Sequence, residues 1–222
     1  MQAALGGSDK LASVVDVDQR ITADAWDDRG RHLGQVVKRI RWITPGHLRM
    51  DQVGPGNTFV LYFDGMTGWE ILPGGKAAIP LTGGELRFAQ KQHRDFPLRI
   101  WLADRDAAFA VTSPAANVLR IADRQHPADP IHHVDLTLDP RSALPVVERT
   151  LSLAAPDRPS WFETRLSDWI SVDGVRFPRR SEVFFNGARL AAITVTSVRL
   201  NSGLSIADLA AKPPNLTPVV SP

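Results

Sequence analysis

Apolar and polar residues alternate with a period of two along most of the chain. In 134–139, which reads VDLTLD, every second residue is apolar. Alternation of this kind predicts β-strands that turn one face toward a core and the other toward solvent. Outside the long segment 164–200 and at its start, the predicted strands are 17–26, 33–44, 48–53, 58–63, 68–72, 109–112, 117–122, 131–139, 145–153 and 160–169.

The segment Thr164–Leu200 predicts three long antiparallel strands joined by two tight turns. The turns fall at Asp173-Gly174 and Asn186-Gly187, and such dipeptides typically close two-residue hairpins because both residues tolerate positive φ. The flanking residues are mostly β-branched or aromatic, as is usual in strands. The sequence therefore predicts a large antiparallel sheet with about eleven strands in all.

The pattern changes to a helical period in three places. Ala3–Val15 predicts a short helix that is capped by Ser8. Glu85–Ala103 predicts two short helices divided at Pro97, because proline interrupts helical hydrogen bonding. Ser205–Ala211 predicts one or two further helical turns.

Most of the connections are turn-sized, and longer loops are predicted only over 54–57 and 73–84. No linker or fixed-period repeat divides the chain, so we predict a single domain over 1–212 and a loosely held proline-rich tail over 213–222. Sheets of this size curl or close. The predicted fold class is mainly β with helices (α+β), an incomplete antiparallel β-barrel or half-barrel of about eleven strands with helices covering its concave face.

Composition and charge exclude several classes of protein. Hydrophobic residues make up 43% and charged residues 23% of the chain, which is ordinary for a globular protein. The net charge of +2, with the two signs interspersed, argues against a nucleic-acid partner, which requires clustered Lys and Arg. Cysteine is absent, which excludes disulfides and thiol chemistry. No apolar run reaches the length of about 18 residues that a transmembrane helix needs.

Familiar catalytic motifs are missing from the sequence: it has no nucleophile elbow, phosphate loop, dinucleotide-binding or zinc-protease pattern. His132 and His133 are adjacent in a predicted strand, so they point to opposite faces and cannot share one metal ion. The other histidines stand apart and lack the spacing of metal ligands. Ser167 and Asp168 could form a triad with one of these two histidines, but no pattern brings them together. We predict no catalytic residue, no metal and no cofactor.

Apolar and aromatic side chains remain as the candidate chemistry. Several of them lie on one face of adjacent predicted strands, and we expect these to point into the concavity of the sheet. A curved sheet that short helices do not fill leaves an apolar cavity the size of a lipid chain. The candidate ligand-binding residues are Trp42, Leu48, Met50, Phe59, Leu61, Phe63, Trp69, Leu86, Ile100, Leu136, Phe177 and Phe185.

Several short motifs follow one another along nearly the whole chain. They are ALGGSDKLASV (4–14), TPGHLRMD (44–51), DGMTGWEI (64–71), TLDPRSALPVVER (137–149) and LSDWISVDGVRFPRRSEVFFNG (166–187). The last is similar to the pattern F-S-D-Y-x-x-V-D-G-V-x-F-P followed by N-G. In this order and spacing the motifs resemble the LolA/LolB/LppX-like superfamily of lipoprotein carriers, in particular the outer membrane lipoprotein-sorting protein group.

The resemblance implies an incompletely closed barrel whose cavity takes up acyl chains of lipids or lipoproteins in the periplasm or cell envelope, without catalytic residues or a cofactor. On this basis we expect a non-enzymatic monomer for lipoprotein sorting or transport, with transient contact to a membrane or a partner protein. Met1–Gly7 lacks a basic start and a long apolar segment, so we expect a signal peptide to have been removed upstream of it. Two alternatives remain, a structural or interaction module of the same fold with a self-filled core and no cargo, and a hydrolase acting on an envelope lipid or glycan.

Overall fold

The computed structural model describes residues 1–53, 58–75, 77–126, 129, 132–151 and 160–213. The loop predicted over 54–57 and most of the tail predicted over 213–222 lie outside these residues. The strands are β1 (Asp16–Trp26), β2 (His32–Ile43), β3 (His47–Val53), β4 (Phe59–Phe63), β5 (Gly68–Ile71), β6 (Ile79–Pro80), β7 (Phe109–Ala115), β8 (Val118–Asp123), β9 (His133–Leu138), β10 (Pro145–Leu151), β11 (Trp161–Val172), β12 (Val175–Phe185) and β13 (Ala188–Leu200).

These strands form one mostly antiparallel sheet in the order β6-β5-β4-β3-β2-β1-β13-β12-β11-β10-β9-β8-β7. Strand β6 lies at one edge and β7 at the other, so the sheet does not close on itself. The topology confirms the predicted fold class, an open α+β half-barrel.

The two turns predicted in 164–200 are confirmed. Asp173 and Gly174 have φ of 48° and 82°, and Asn186 and Gly187 have φ of 47° and 85°. Positive φ at both central residues is the geometry that matches the twist of the flanking strands. These two turns connect β11 to β12 and β12 to β13, as predicted.

One strand was missed by the sequence analysis. The sequence predicts a loop over 73–84, but Ile79 and Pro80 form the edge strand β6, which pairs with Trp69 and Glu70 of β5. A proline is tolerated here because it lies in an edge strand. Two residues are too few for alternation to reveal a strand.

Four short α-helices accompany the sheet in the described part of the chain: α1 (Ser8–Ala12), α2 (Gly83–Arg94), α3 (Pro97–Trp101) and α4 (Ile206–Ala210). None of the helices described is long and apolar enough to cross a membrane. The division at Pro97 and the C-terminal helix are confirmed. The capping role of Ser8 is wrong, because Gly7 occupies the cap position of α1 and no side chain bonds there.

The chain divides into two compact units. Unit 1 comprises Met1–Ser13, Asp24–Gly34 and Asp95–Thr194, and unit 2 comprises Val14–Ala23, Gln35–Arg94 and Val195–Pro222. The single domain over 1–212 stays a prediction.

The core of unit 2 lies on both faces of β4. On one face Leu61 and Phe63 pack with Leu81 and Ala89. On the other face Val60 and Tyr62 pack with a second set, which consists of Trp69, Ile71 and Leu209. Strand β4 is therefore covered on both sides, by α2 on one and by α4 on the other.

The core of unit 1 includes a close approach between its N-terminal segment and the β11–β12 turn. Gly6 has φ of 120°, and a Cβ atom there would lie 2.1 Å from the carbonyl oxygen of Gly174. Only glycine fits such a contact in this backbone conformation. Leu5 and Leu11, on either side of this contact, are fully buried, and they anchor the segment in the core of unit 1.

Candidate functional site

The strands β8 to β12 of unit 1 carry two rows of side chains on one face of the sheet. Residues that lie directly opposite each other in neighbouring strands share a face. The pairing places one row at Leu119, Leu136, Glu148, Thr164 and Val183, and the other at Ile121, Val134, Thr150, Phe162 and Phe185. We call this side of unit 1 the cavity face.

A cavity of about 240 Å³ lies over the β7–β8 end of these rows. Its apolar lining comes from Val111, Leu119 and Ile121 of the sheet and from Ile100, Trp101 and Ala103 of the α3 region. Met1, Gln2 and Asp104 complete the lining and supply its polar atoms.

The polar side of the cavity is tied down by its own hydrogen bonds. The side-chain amide of Gln2 donates to the carbonyl oxygen of Trp101 at 2.8 Å and to the carboxylate of Asp104 at 2.6 Å. These bonds fix the first residues of the chain against α3. The cavity therefore has an apolar floor and one polar rim.

One of the sequence-predicted residues lines this cavity, a second is the sheet neighbour of a lining residue, and two lie further along unit 1. Ile100 lines the cavity, and the fully buried Leu136 is opposite Leu119 in the sheet. The ring of Phe177 lies 5.6 Å from that of Trp101. Phe185 lies 5.0 Å from Phe162.

The far end of the cavity face is apolar but not fully covered. Phe162, Val183 and Phe185 are all half-buried. Buried aromatic pairs of this kind are common in cores, but here the rings keep part of their surface open. The cavity face thus offers a second apolar area on β11 and β12, which Glu148 and Thr150 of β10 separate from the cavity end.

The opposite face of the same strands is charged. A row of alternating sign runs through Arg120, Asp135, Arg149 and Glu163, which lie directly opposite one another. Arg120 and Asp135 form a bidentate pair at 2.7 Å, and Arg149 lies 3.2 Å from Glu163. Opposite charges in register stabilise neighbouring strands. We call this side the charged face.

Hydrogen bonds on the charged face favour the charged forms of Glu163 and Arg120. The bond from Arg165 to Glu163, together with the charge of Arg149, holds the pKa of Glu163 below its ordinary value against the effect of partial burial. The bond to Asp135 raises the pKa of the Arg120 guanidinium. The strands of unit 1 therefore carry ion pairs on the charged face, whereas the rows of the cavity face are mainly apolar but include Glu148, Thr150 and Thr164.

The predicted residues of unit 2 do not share one face, so the expectation that they all point into one concavity is wrong. Trp42, Leu48 and Phe63 lie directly opposite one another, and Met50 lies opposite Leu61. Trp69 instead lies opposite Tyr62, on the other face of β4.

Helix α2 fills the first of these faces. Leu48, Leu61 and Phe63 are at most 1% exposed. Phe59 and Leu86 are half-buried. They pack against the cluster of buried residues described above, Leu61, Phe63, Leu81 and Ala89. These side chains are therefore part of the hydrophobic core of unit 2.

On the second face, Trp69 is part of a mixed apolar and ionic arrangement. Its ring lies 5.9 Å from that of Tyr62, and the Arg49 guanidinium lies 5.5 Å from the centre of the Trp69 ring. Arg49 also donates to the carbonyl oxygen of Leu209 at 2.9 Å and to the carboxylate of Asp51. Trp69 therefore helps to hold α4 against the sheet.

The triad considered from the sequence is not assembled in the described part of the chain. Ser167 lies opposite Arg180 of β12, while His132 lies beside Asp123 and Asp129 in the connection between β8 and β9. His133 begins β9 opposite Ala122. No nucleophile and base are brought together by this geometry.

Sequence reasoning missed several residues of the cavity face. Leu119 and Ile121 alternate within the predicted strand 117–122, so their common face could have been noticed. Trp101 and Val111 carried no comparable signal, because their roles depend on where α3 packs. The pairing of Phe162 with Phe185 follows from the β11–β12 register, which the turn at Asp173-Gly174 sets.

No protein-family model matches the chain, and no curated protein matches its sequence. Solved structures do match. A LolA superfamily protein from Nitrosomonas europaea is 11% identical, with a TM-score of 0.62 over 95% of this chain and 97% of that one. A DUF1329 family protein from Desulfovibrio piger is 14% identical, with a TM-score of 0.62 over 90% of this chain and 92% of the other.

A third match is a domain from Vibrio parahaemolyticus described as an outer membrane lipoprotein-sorting protein. It is 9% identical, with a TM-score of 0.60, and the alignment covers 88% of this chain and 89% of that domain. At such identities the likeness concerns the fold. It confirms the resemblance drawn from the sequence at that level: the chain has the fold that LolA superfamily proteins share with the outer membrane lipoprotein-sorting domain.

Proposed function

We propose that the chain is a non-enzymatic cell-envelope protein that binds an acyl chain of a lipid or lipoprotein on the cavity face of unit 1. A role in lipoprotein sorting or transport follows from this binding. The observation that supports it most is the apolar surface at both ends of the two rows, at Leu119 and Ile121 in the cavity and at the half-buried Phe162, Val183 and Phe185. Glu148 and Thr150 of β10 lie between these two ends. The fold shared with LolA superfamily proteins supports it independently.

The size of the cavity limits how much of a chain it holds. At about 30 Å³ for each water-sized volume, 240 Å³ corresponds to roughly eight such volumes. This is below the range of about 300–1,000 Å³ found for drug-sized ligands. We propose that one end of an acyl chain enters the cavity and the rest lies along Phe162 and Phe185.

The expected affinity follows from the apolar surface that binding would bury. A methylene group takes up about one water-sized volume, so the cavity holds about eight methylene groups. Burying these at about 0.8 kcal/mol each yields about 6 kcal/mol. Costs of association reduce the net value, and additional contacts along the open part of the face offset them. A net value of about 6 kcal/mol corresponds to a dissociation constant of tens of micromolar.

Two measurements test the proposal. Organic extraction of the purified protein, followed by mass spectrometry, is expected to release bound lipid. Titration with a fluorescent fatty acid is expected to saturate in the micromolar range. If no lipid is extracted and no saturable binding is found, the proposal is wrong.

A matched pair of variants locates the binding. Val111 lines the cavity, and its neighbour Thr112 lies on the other face of β7, opposite Arg120. Both side chains are exposed, so the same large ring can be added at either position. Val111→Trp is expected to fill the cavity and weaken fatty-acid binding about tenfold or more, while Thr112→Trp leaves it unchanged. Equal effects of the two variants would place the binding elsewhere.

A second candidate function is an interaction module without cargo. It is favoured by the packing of α2 in unit 2, where Leu61 and Phe63 are fully buried against Leu81 and Ala89. In this case the apolar side chains serve stability only. Lipid-free purified protein that shows no saturable binding, and whose Val111→Trp variant keeps its partner interactions, would support this candidate.

A further inference from the structure

A cluster of metal-ligating side chains lies outside the cavity face. Asp123, His126 and His132 each direct one donor atom to a common region, with the three atoms within 4.8 Å of one another. These residues lie in the connection that follows β8 and precedes β9. The proposed lipid binding does not use them.

The backbone of this connection explains why the side chains converge. The amide of His126 donates to the carbonyl oxygen of Asp123 at 3.1 Å, that of Asp129 to His126 at 3.1 Å, and that of His132 to Asp129 at 3.0 Å. Hydrogen bonds between residues three apart place successive side chains on the same side of the backbone. Residues 123, 126, 129 and 132, which are spaced three apart in the sequence, are thus linked in succession by these bonds.

The carboxylate of Asp123 is held in a ligating orientation. One of its oxygens, Oδ1, accepts a hydrogen bond from the backbone amide of Gln125 at 2.8 Å. The other, Oδ2, lies 3.4 Å from Nδ1 of His126 and 4.0 Å from Nδ1 of His132. Tetrahedral ligands at about 2.0–2.1 Å from a zinc ion lie about 3.4 Å apart, so small side-chain rotations bring these atoms to ligand spacing.

A fourth side chain fits the role of an orienting partner. The Oδ2 atom of Asp129 lies 3.9 Å from Nε2 of His132, on the side of the ring away from Asp123. In metal sites a ligating histidine commonly donates its second ring nitrogen to a carboxylate, which fixes the ring and its tautomer. The rings of His126 and His132 are stacked with their centres 4.6 Å apart, so the two imidazoles are held close to each other.

We propose that Asp123, His126 and His132 bind one divalent transition-metal ion of the zinc class, with Asp129 positioning His132. Two imidazole nitrogens and one carboxylate oxygen suit zinc and its neighbours, whereas calcium and magnesium prefer all-oxygen sites. Three protein ligands leave a fourth position for water. The side chain of His126 is 53% exposed, so the ion can reach the site from solvent.

The test is calorimetric titration of Zn²⁺ alone into tag-free full-length protein that has been treated with a chelator and dialysed. One equivalent is expected to bind. Asp123→Ala, His126→Ala and His132→Ala are each expected to weaken binding by more than tenfold, and Asp129→Asn by about tenfold. Far-UV circular dichroism of each variant checks that it is folded.

His32→Ala is the matched control. His32 also lies beside an aspartate, with Nε2 3.0 Å from Asp24, but the pair belongs to no three-ligand cluster among the described residues. This variant is expected to bind Zn²⁺ like the parent protein. A similar loss in His32→Ala and His126→Ala would overturn the proposal.

Imidazole nitrogen NMR of the parent protein gives a readout that needs no variant. Zn²⁺ is expected to shift the ring nitrogens of His126 and His132 and to leave those of the other four histidines in place. Uniform shifts of all histidines, absence of binding heat, or displacement of Zn²⁺ by an equal concentration of Ca²⁺ would each overturn the assignment.

Discussion

Asp18 links two arginines in unit 2, and we predict that this linkage contributes measurably to stability. Its carboxylate accepts two hydrogen bonds from Arg39 at 2.8 Å each and a further bond from Arg199 of β13. The Asp18 side chain is only 2% exposed, although the side chains of Arg39 and Arg199 are 32% and 62% exposed. Replacing it by an amide in Asp18→Asn keeps the shape of the side chain and removes the charge.

The magnitude follows from the pKa of Asp18. The hydrogen bond from Arg39, with further contributions from Arg199, lowers this pKa from 3.8 to about 2 against the effect of burial. A shift of this size corresponds to about 2 kcal/mol of unfolding free energy at pH 7. Solvent screening of the two partly exposed arginines reduces the expected effect of Asp18→Asn to about 1–2 kcal/mol.

The sign of the pH dependence is fixed by the direction of the shift. A carboxyl whose pKa is lower in the folded state stabilises the protein above its unfolded pKa, and this stabilisation is lost as the pH falls through the folded value. The difference in unfolding free energy between the parent protein and Asp18→Asn is therefore expected to be constant from pH 7 to about pH 5. We call this difference the gap. It should fall to about half by pH 3, between the two pKa values.

Urea unfolding at pH 7, 5, 4 and 3 measures this gap. Asp28→Asn serves as the control, since Asp28 is an exposed turn residue and its substitution is expected to change stability by less than about 0.5 kcal/mol. If the Asp18→Asn variant is as stable as the parent protein at pH 7, the reasoning is refuted. A gap that stays constant down to pH 3 would show that the loss arises from packing and not from charge.

Three further predictions concern the packing, a helix cap and a turn. Phe63→Ala, which empties a fully buried position beneath α2, should lower the unfolding free energy by about 3–5 kcal/mol in denaturant titration. Ser205→Ala removes the hydroxyl that caps α4 by accepting from the amide of Asp208 at 3.1 Å, and should lower the melting temperature by an amount equivalent to about 1 kcal/mol. Gly174→Ala places a Cβ atom at φ of 82° and should cost about 1–2 kcal/mol, whereas Gly84→Ala, in a helix, should be neutral or stabilising in the same assay.

The sheet could be predicted from the sequence because its signals are local. Alternation identifies strands such as β9, and the dipeptides Asp173-Gly174 and Asn186-Gly187 identify the turns between the last three strands. The division of the helical segment at Pro97 is likewise a property of one residue. Each of these signals depends on backbone conformations that neighbouring residues determine, and tertiary packing does not override them here.

The distribution of side chains between faces could not be predicted so well. Alternation shows which residues of one strand share a face, but the phase between neighbouring strands depends on the register. Phe63 ends β4 and Trp69 lies near the start of β5. The β4–β5 pairing puts Trp69 opposite Tyr62, so Trp69 and Phe63 point to different faces of the sheet. The cluster around Asp123 was missed for a related reason, because hydrogen bonds in an irregular connection bring its members together.

The helix that covers the sheet is longer in unit 2 than in unit 1, and this difference favours a binding site in unit 1. Helix α2 has 12 residues and is about 18 Å long, and its Ala89 packs with the fully buried Leu61 and Phe63 of β4. Helix α3 has 5 residues and is about 7.5 Å long, whereas the rows of the cavity face cross β8 to β12 and span about 19 Å. Helix α3 covers the part of the rows where Ile100 and Trp101 line the cavity, and Trp101 also contacts Phe177 of β12. Phe162, Val183 and Phe185 remain half-buried, and so the same alternation that makes core in unit 2 leaves apolar surface in unit 1, where we propose that the ligand binds.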